Sequence, residues 1–369
     1  MKKIKIVTVV GTRPEIIRLS LIIKLLDKET DHCLIHTGQN YDHHLNEIFF
    51  KDLDLKQPKF KIQSKDTNPT KTLSKILINV DEILDSIKPD AFIILGDTNS
   101  CLSAYCAKRR KIPIFHIEAG NRCYDQRVPE EINRKIIDHI SDINITYSTI
   151  AKNNLLRENI DPDKIFKIGS PLFQVFQYYK SRINKSNILK KLKVAKNNYY
   201  LVSVHREENV EDPKNILKFF NFLNYLNKKD KKIIVSTHPR TMKKIKNKNL
   251  KNLKNIIFSK PFSYSEYAKL QINAKYVFSD SGSITEESSI MGFKSINLRN
   301  TNERQEGMTY GTVPMSHFNI NTIEQILNIK KKKITIIDEY KSPNFSEVFY
   351  NILLSYFDYI NENTWRLER

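Results

Sequence analysis

Cysteine is scarce in this 369-residue sequence. Cys33, Cys101, Cys106 and Cys123 lie at spacings that match no zinc ribbon, finger or thioredoxin-type pair, which excludes the common cysteine metal sites and reads as reduced thiols. Long apolar runs are missing as well: none approaches the ~20 residues that a transmembrane helix requires. The opening MKKIKIVTVVGTRPE is basic, but its apolar stretch is short, is interrupted by Thr8 and runs straight into Arg and Glu. That pattern predicts a first β-strand, not a signal peptide, and a cytoplasmic protein. Glycine is limited to nine residues. The glycine that follows the first strand opens neither a Walker loop nor a G-x-G-x-x-G fingerprint, which argues against ATP hydrolysis and ordinary nicotinamide binding.

Positive charge is what the sequence has in excess. Lys and Arg number 61 against 41 Asp and Glu, a formal net charge of +20. Nucleic acid, an anionic membrane surface or a phosphorylated substrate would each be attracted by such a charge. The lysines, however, cluster at Asn187 to Asn197, Asn227 to Lys232, Lys243 to Lys254 and Lys330 to Lys333, without the interleaved aromatics of a single-strand binder. They read as solvated faces and a compositional bias, so no nucleic-acid or membrane partner is expected.

The length suits two domains, and 40% hydrophobic residues can give each a core. Short β-branched runs alternate with segments of helical period, the signature of a parallel sheet wound with helices. Strands are predicted at Ile4 to Val10, Cys33 to Thr37, Ala91 to Leu95, Ile114 to Ile117, Ile143 to Tyr147 and Ile165 to Ile168. The rhythm restarts at Tyr200 to Val204, Ile233 to Thr237, Ile256 to Phe258, Tyr276 to Ser279 and Ser295 to Leu298. Two doubly wound α/β domains follow, spanning 1–171 and 172–345, joined at the Gly169-Ser170-Pro171 turn, with a ligand expected between them. The last segment, about 346–369, carries Phe349, Ile352, Leu353, Tyr356 and Phe357 at helical period and is expected to pack back on the first domain.

In open α/β sheets, ligands bind at the carboxyl ends of the strands. The residues at those positions are unusually polar: GTRPE at Gly11 to Glu15, GDT at Gly96 to Thr98, EAG at Glu118 to Gly120, HREEN at His205 to Asn209, HPR at His238 to Arg240 and SDSGS at Ser279 to Ser283. In the first motif a helix N-terminus and the Arg13 guanidinium can together hold an anion, though a Pro-started helix with a surface Arg explains the same residues. In Asp280 to Glu287, small residues let backbone N–H groups approach a diphosphate, and Glu287, one turn into the helix, can bridge the two hydroxyls of a ribose. A capping box accounts for Ser283 and Glu286 equally well. Asp97, Glu118, Glu130 and His205 are the ionisable residues best placed for proton transfer.

Taken together, GTRPE, GDT, HIEAGNRCYDQRVPEEINRKIIDH, VHREEN, DSGSITEESS and NERQEGM resemble the non-hydrolysing UDP-N-acetylglucosamine 2-epimerases, in the family's order and spacing from Lys3 to about Phe318. The resemblance implies two Rossmann-like domains of the glycosyltransferase-B type, a homodimer, a UDP-N-acetylamino sugar as substrate, and neither cofactor nor metal. It also implies roles. Arg13 and Arg18 would face the diphosphate, Arg18 standing where many relatives have Lys. Asp97, Glu118 and Glu130 match the acidic catalytic cluster, Arg134 an arginine near it and His205 the catalytic histidine, while His238 is a further candidate substrate ligand. Ser281, Gly282, Ser283 and Glu287 match the UDP-holding turn, Tyr267 a nucleotide-packing aromatic and Arg304 a UDP-site arginine.

Two departures stand out. The usual DSGG is DSGS here, which is expected to reduce backbone freedom at Ser283. Relatives acting on UDP-N-acetylglucosamine carry EAGLRT…PEE and a Gln-His-Arg segment linked to activation by substrate, whereas this chain has EAGNRCYDQRVPEE and Gln39-Asn40-Tyr41. Those forms resemble the branch that interconverts UDP-2-acetamido-2,6-dideoxy-L-talose and UDP-N-acetyl-L-fucosamine for capsule or O-antigen synthesis. UDP-N-acetylglucosamine as substrate, a hydrolysing 2-epimerase, a retaining glycosyltransferase and a basic nucleic-acid-binding protein are the competing readings.

Overall fold

The computed structural model describes residues 3–39, 43–237, 254–329 and 336–366. The chain divides into two compact units, one formed by Met1–Gln177 with Glu339–Arg369 and the other by Tyr178–Asp338. The division falls inside the helix Pro171–Lys185.

The first unit holds a seven-stranded parallel sheet built from β1 (Lys5–Val10), β2 (Asp31–His36), β3 (Phe60–Lys61), β4 (Ala91–Leu95), β5 (Ile114–Ile117), β6 (Ile143–Thr146) and β7 (Ile165–Lys167), in the order β3-β2-β1-β4-β5-β6-β7. Its central strands are buried on both faces, as runs such as Ala91-Phe92-Ile93-Ile94-Leu95 require when helices cover both sides. β3 is the strand the sequence reading lacks. It has two residues, Phe60 half-buried and Lys61 exposed, and pairs only at the edge with Ile35 and His36, so no apolar run marks it. The helix Phe345–Asn363 belongs to this unit. It buries Phe345, Phe349, Leu353 and Ile360, sets the Phe349 ring edge-on to Phe115 of β5 at 6.3 Å and Tyr356 edge-on to Phe166 of β7 at 5.0 Å.

The second unit holds a five-stranded parallel sheet of β8 (Tyr199–Ser203), β9 (Lys232–Ser236), β10 (Ile256–Ser259), β11 (Tyr276–Ser279) and β12 (Ser295–Asn297), in the order β10-β9-β8-β11-β12. Its core is aromatic. Phe222 packs edge-on against Phe278 at 5.1 Å and against Phe318 at 6.0 Å, and Phe219 lies within the same cluster.

Both strand orders reverse direction once, between β1 and β4 in the first sheet and between β8 and β11 in the second. Loops leaving the strands on either side of such a reversal diverge to opposite faces of the sheet and open a crevice. The GTRPE and GDT motifs flank the first reversal, and HREEN and DSGS flank the second. Among the described residues, no helix is long and apolar enough to cross a membrane.

Candidate active site

Gly11 ends β1 in a space only glycine fits, because a Cβ there would collide with the hydroxyls of Thr37 and Ser100. The helix Arg13–Glu29 then starts with Pro14 in its first turn, where no backbone donor is lost. Glu15 folds back over this start. It accepts from the backbone N–H of Gly11 at 2.5 Å and of Thr12 at 2.9 Å, and from Thr98 Oγ1 at 2.6 Å. Two amides at the helix start are therefore held by the protein's own carboxylate, which leaves the Arg13 side chain, 5.8 Å from the Phe49 ring centre, as the anion-seeking group of the motif. Burial pushes the Glu15 carboxyl up to about 7, against the pull of its hydrogen bonds, and the Asp97 charge adds to the rise.

Two carboxylate–arginine pairs stand at the ends of neighbouring strands. Asp97, after β4, receives Arg134 Nε at 3.0 Å and Nη2 at 2.6 Å on one oxygen. Glu118, after β5, lies 3.4 Å from Arg18 Nε. Both arginines are almost fully buried, so each is a fixed positive charge and not a mobile surface group. The strand ends are close together: a Cβ at Gly96 would sit 3.9 Å from Glu118 Oε1. Glu118 has φ of 73°, a left-handed conformation costly for a side-chain-bearing residue and characteristic of functional turns. Glu130 is half-buried in the first turn of the helix Pro129–Ile140, one turn before Arg134 on the same face.

This geometry is fixed from beneath. The fully buried Asp138 accepts from the Gly120 N–H, pairs with Arg122 Nη1 at 2.7 Å and lies 3.0 Å from His116 Nδ1, while His116 Nε2 donates to the Gly96 carbonyl at 2.8 Å. Arg122 in turn reaches both oxygens of Glu158 at 2.7 and 2.6 Å. Burial opposes ionisation of Asp138, but His116 and Arg122 outweigh it and hold the carboxyl below its usual range. Glu131, also buried, accepts from the backbone N–H groups of Cys123 and Tyr124 and from Arg134 Nη1, so it clamps the EAGNRCYDQRVPEE loop to the arginine that holds Asp97. Gln39 accepts from the Ser100 N–H and hydroxyl, while Asn40 and Tyr41 lie outside the described residues.

In the second unit, Asp280 is a buried hub. Its carboxylate accepts from the His205 and Arg206 N–H groups and from Asn209 Nδ2, and lies 3.2 Å from His205 Nδ1. Gly282 is required by close approach, since a Cβ would collide with the Glu303 carboxylate, which pairs with Arg299 at 2.9 Å. Ser283 has φ of −72°, a conformation any residue adopts, so the serine that replaces the usual glycine, with its smaller backbone freedom, sits here without strain. Its hydroxyl reaches Glu287 Oε1 at 2.8 Å and Ser281 Oγ at 2.9 Å. Tyr267 lies on the helix Tyr264–Asn273, stacked on Phe262, and Gln271, one turn further along that helix, donates to Glu287 Oε2 at 2.6 Å. Arg304 pairs with buried Glu286 at 3.4 Å. His238 lies outside the described residues.

The structure thus groups Asp97, Glu118, Arg18 and Arg134 at the first reversal and His205 with the Ser281–Ser283 turn and Glu287 at the second. Glu15, Asp138 and Gln271 are the partners that the sequence reading gave no role. Nothing in the local sequence pattern marks the contact of Gln271 with Glu287, which joins two separate helices.

A family model described as UDP-N-acetylglucosamine 2-epimerase matches residues 24–353. The structure of UDP-N-acetylglucosamine 2-epimerase from Rickettsia bellii is 43% identical, with a TM-score of 0.91 over 99% of this chain and 100% of that one. The chain belongs to the UDP-N-acetylglucosamine 2-epimerase family. As a member of that family it is a UDP-sugar 2-epimerase, an isomerase acting on carbohydrates. The Methanocaldococcus jannaschii UDP-GlcNAc 2-epimerase, solved in complex with UDP-GlcNAc and UDP, is 35% identical with a TM-score of 0.87, covering 95% of this chain and 100% of that one. A Pseudomonas aeruginosa relative named UDP-2,3-diacetamido-2,3-dideoxy-D-glucuronate 2-epimerase is 29% identical over 312 residues, 83% of this chain and 86% of its own. The two parallel-sheet α/β domains are those of the epimerase family's glycosyltransferase-B type fold. The substrates for which the Methanocaldococcus jannaschii and Pseudomonas aeruginosa relatives are named differ at the sugar while sharing UDP and an acetamido group.

Proposed function

We propose that the protein inverts C2 of a UDP-linked N-acetylamino sugar without hydrolysis, converting UDP-2-acetamido-2,6-dideoxy-L-talose to UDP-N-acetyl-L-fucosamine for capsule or O-antigen synthesis. The observation that carries the reaction type is the pair of carboxylates, Asp97 and Glu118, each joined to a buried arginine at adjacent strand ends. The C2 proton has no neighbouring carbonyl and is barely acidic, so C2 must first be made electron-poor. Cleavage of the C1–O bond to UDP does this, as the departing diphosphate carries its charge toward Arg13, Arg18 and backbone donors while C1 becomes oxocarbenium-like. Loss of the C2 proton gives a 2-acetamidoglycal, and re-addition of UDP with a proton delivered to the opposite face completes the inversion. Asp97, Glu118 and Glu130 are assigned the proton transfers, with Arg134 fixing Asp97. His205, oriented by Asp280, steadies the phosphate or sugar of the leaving group. The Ser281-Gly282-Ser283 turn, Glu287, Tyr267, Arg304 and His238 hold UDP and the sugar.

The choice of sugar rests on the EAGNRCYDQRVPEE and DSGSITEESS forms. UDP-N-acetylglucosamine is the second reading, favoured by the names of the relatives. The two are separated by incubating the protein with each of UDP-N-acetylglucosamine and UDP-N-acetyl-L-fucosamine in deuterated water and following C2 exchange and new anomeric signals by proton NMR. Exchange from the L-fucosamine compound alone supports the proposal, exchange from the glucosamine compound alone transfers it to the parent substrate, and exchange from neither rejects the epimerase mechanism as drawn. Free UDP accumulating in step with product would instead indicate a hydrolysing enzyme. A homodimer is part of the proposal, supported by Ile132 and Ile136, half-exposed one turn apart on the helix Pro129–Ile140. A monomeric mass in light scattering at micromolar protein would refute it.

A further inference from the structure

Glu287 can bind a ribose only as well as its carboxylate is aimed. A glutamate in the first turn of a helix has several rotamers, and fixing one costs free energy on the order of 1 kcal/mol or more when a ligand must do it. Here the fixing is done by the protein. Ser283 Oγ donates to Oε1 at 2.8 Å from the N-cap of the helix that carries Glu287, and Gln271 Nε2 donates to Oε2 at 2.6 Å from the helix Tyr264–Asn273. The Ser283 proton is committed to the carboxylate, so the 2.9 Å contact between Ser281 and Ser283 has Ser281 as donor, and the hydroxyl chain runs in one direction from Ser281 to Ser283 to Glu287.

An ionised carboxylate oxygen offers two acceptor positions. Ser283 takes one on Oε1 and Gln271 takes one on Oε2, which leaves one on each oxygen. Two adjacent acceptors match a pair of vicinal hydroxyl donors. Ser283 and Gln271 each donate to the carboxylate, so at a 2′-deoxy position one of its remaining acceptor positions would have no donor.

We propose that Ser283 and Gln271 are positioning residues that preset Glu287 for the 2′,3′-diol of a ribonucleoside diphosphate, making this turn selective for ribose over 2′-deoxyribose. Gln271 is almost fully buried and spends its amide on Glu287, and Ser283 supplies a hydroxyl that the family's usual glycine lacks. The inference rests on the proposed reading of Glu287 as the ribose carboxylate.

The test is calorimetric binding of UDP and of 2′-deoxyuridine diphosphate to the full chain and to Ser283→Ala, Ser283→Gly and Gln271→Leu, with thermal midpoints recorded for each. The wild-type protein is expected to prefer UDP, and each variant to lose about tenfold of that preference, the size of one hydrogen bond to a charged group. In a Glu287→Ala background, Ser283→Ala is expected to have no further effect on the preference. If the variants weaken both nucleotides by the same factor, or leave the preference intact, the positioning role is overturned while UDP binding stands. If the wild-type protein binds neither nucleotide, the reading of this turn as a UDP site fails first, and this inference with it.

Discussion

His205 and Asp280 are joined twice: the Asp280 carboxylate lies 3.2 Å from the imidazole Nδ1 and also accepts from the His205 backbone N–H at 3.1 Å. The arrangement sets the imidazole Nδ1 against the carboxylate and so orients the ring. It also ties the loop after β8 to the loop after β11, across the strand reversal of the second sheet.

Removing Asp280 therefore has two separable effects. Asp280→Ala orphans the His205 and Arg206 amides and Asn209 Nδ2, at about 1–3 kcal/mol for each donor left buried. A loss of stability of several kcal/mol is expected in urea unfolding, whereas His205→Ala, at a side chain about one-third exposed, is expected to change stability by less than about 0.5 kcal/mol. Both variants are expected to lower kcat by about a hundredfold or more if His205 serves the reaction. Equal stability of Asp280→Ala and wild type would refute the hub.

Glu15 and His36 make opposed contributions to pH dependence. The folded-state pKa of Glu15 is raised to about 7, so between its ordinary value of 4.5 and about 7 the folded chain binds more protons than the unfolded one. Its contribution is fully present below the unfolded value and is lost as pH rises to about 7, on the order of 3 kcal/mol in total. His36 is buried and its imidazole is depressed from 6.5 to about 4, chiefly by desolvation and then by the Lys61 charge. Its contribution is present above 6.5 and is lost as pH falls toward 4. The two largely cancel in wild type. Glu15→Gln removes only the first term, so its stability relative to wild type is expected to rise between pH 5 and pH 7.5. Urea midpoints at the two pH values measure this, and a constant difference would show that Glu15 ionises normally.

Asp138 carries the first unit's strand ends. It accepts from the Gly120 amide, pairs with buried Arg122 and sits against His116, which donates to the carbonyl just before Asp97. Breaking a buried pair by removing one charge costs about 3–5 kcal/mol, and Asp138→Asn is expected to fall in that range in denaturant unfolding. Because Asp138 positions Asp97 and Glu118 and is not placed against substrate, the folded variant is expected to lose kcat by about tenfold or more with little change in KM. A rise in KM at constant kcat would move Asp138 out of this role.

Much of this was legible in the sequence because parallel sheets buried on both faces demand continuous apolar runs. Ala91 to Leu95 and Tyr276 to Ser279 announce themselves as strands and hand over polar residues at their ends. β3 was not legible, since Phe60-Lys61 at a sheet edge has no periodicity to detect. Within the site, the sequence placed Asp97, Glu118 and His205 just after strands, and the structure has them at the carboxyl ends of β4, β5 and β8. It did not reveal that Glu15 folds onto the helix start, that Asp138 braces two strand ends from beneath, or that Gln271 meets Glu287. Each of those contacts joins residues on different elements or depends on side-chain rotamer, and neither is encoded in local spacing.

The C-terminal helix offers the plainest separation of fold from site. Phe349 is fully buried, edge-on to Phe115 of β5 and stacked with Phe345 at 6.5 Å, all within the first unit. Phe349→Ala removes a buried ring and leaves a cavity, a change that costs about 3–5 kcal/mol. The loss falls on the unit that carries Asp97 and Glu118, so thermal inactivation of C2 exchange is expected at a lower temperature than in wild type. At 10–15 °C below the new midpoint, UDP affinity is expected to be unchanged within about twofold, because the Ser281–Ser283 turn, Tyr267 and Glu287 lie in the other unit. A large fall in UDP affinity of the folded variant would mean that the nucleotide draws on the first unit beyond the diphosphate contacts assigned to Arg13 and Arg18.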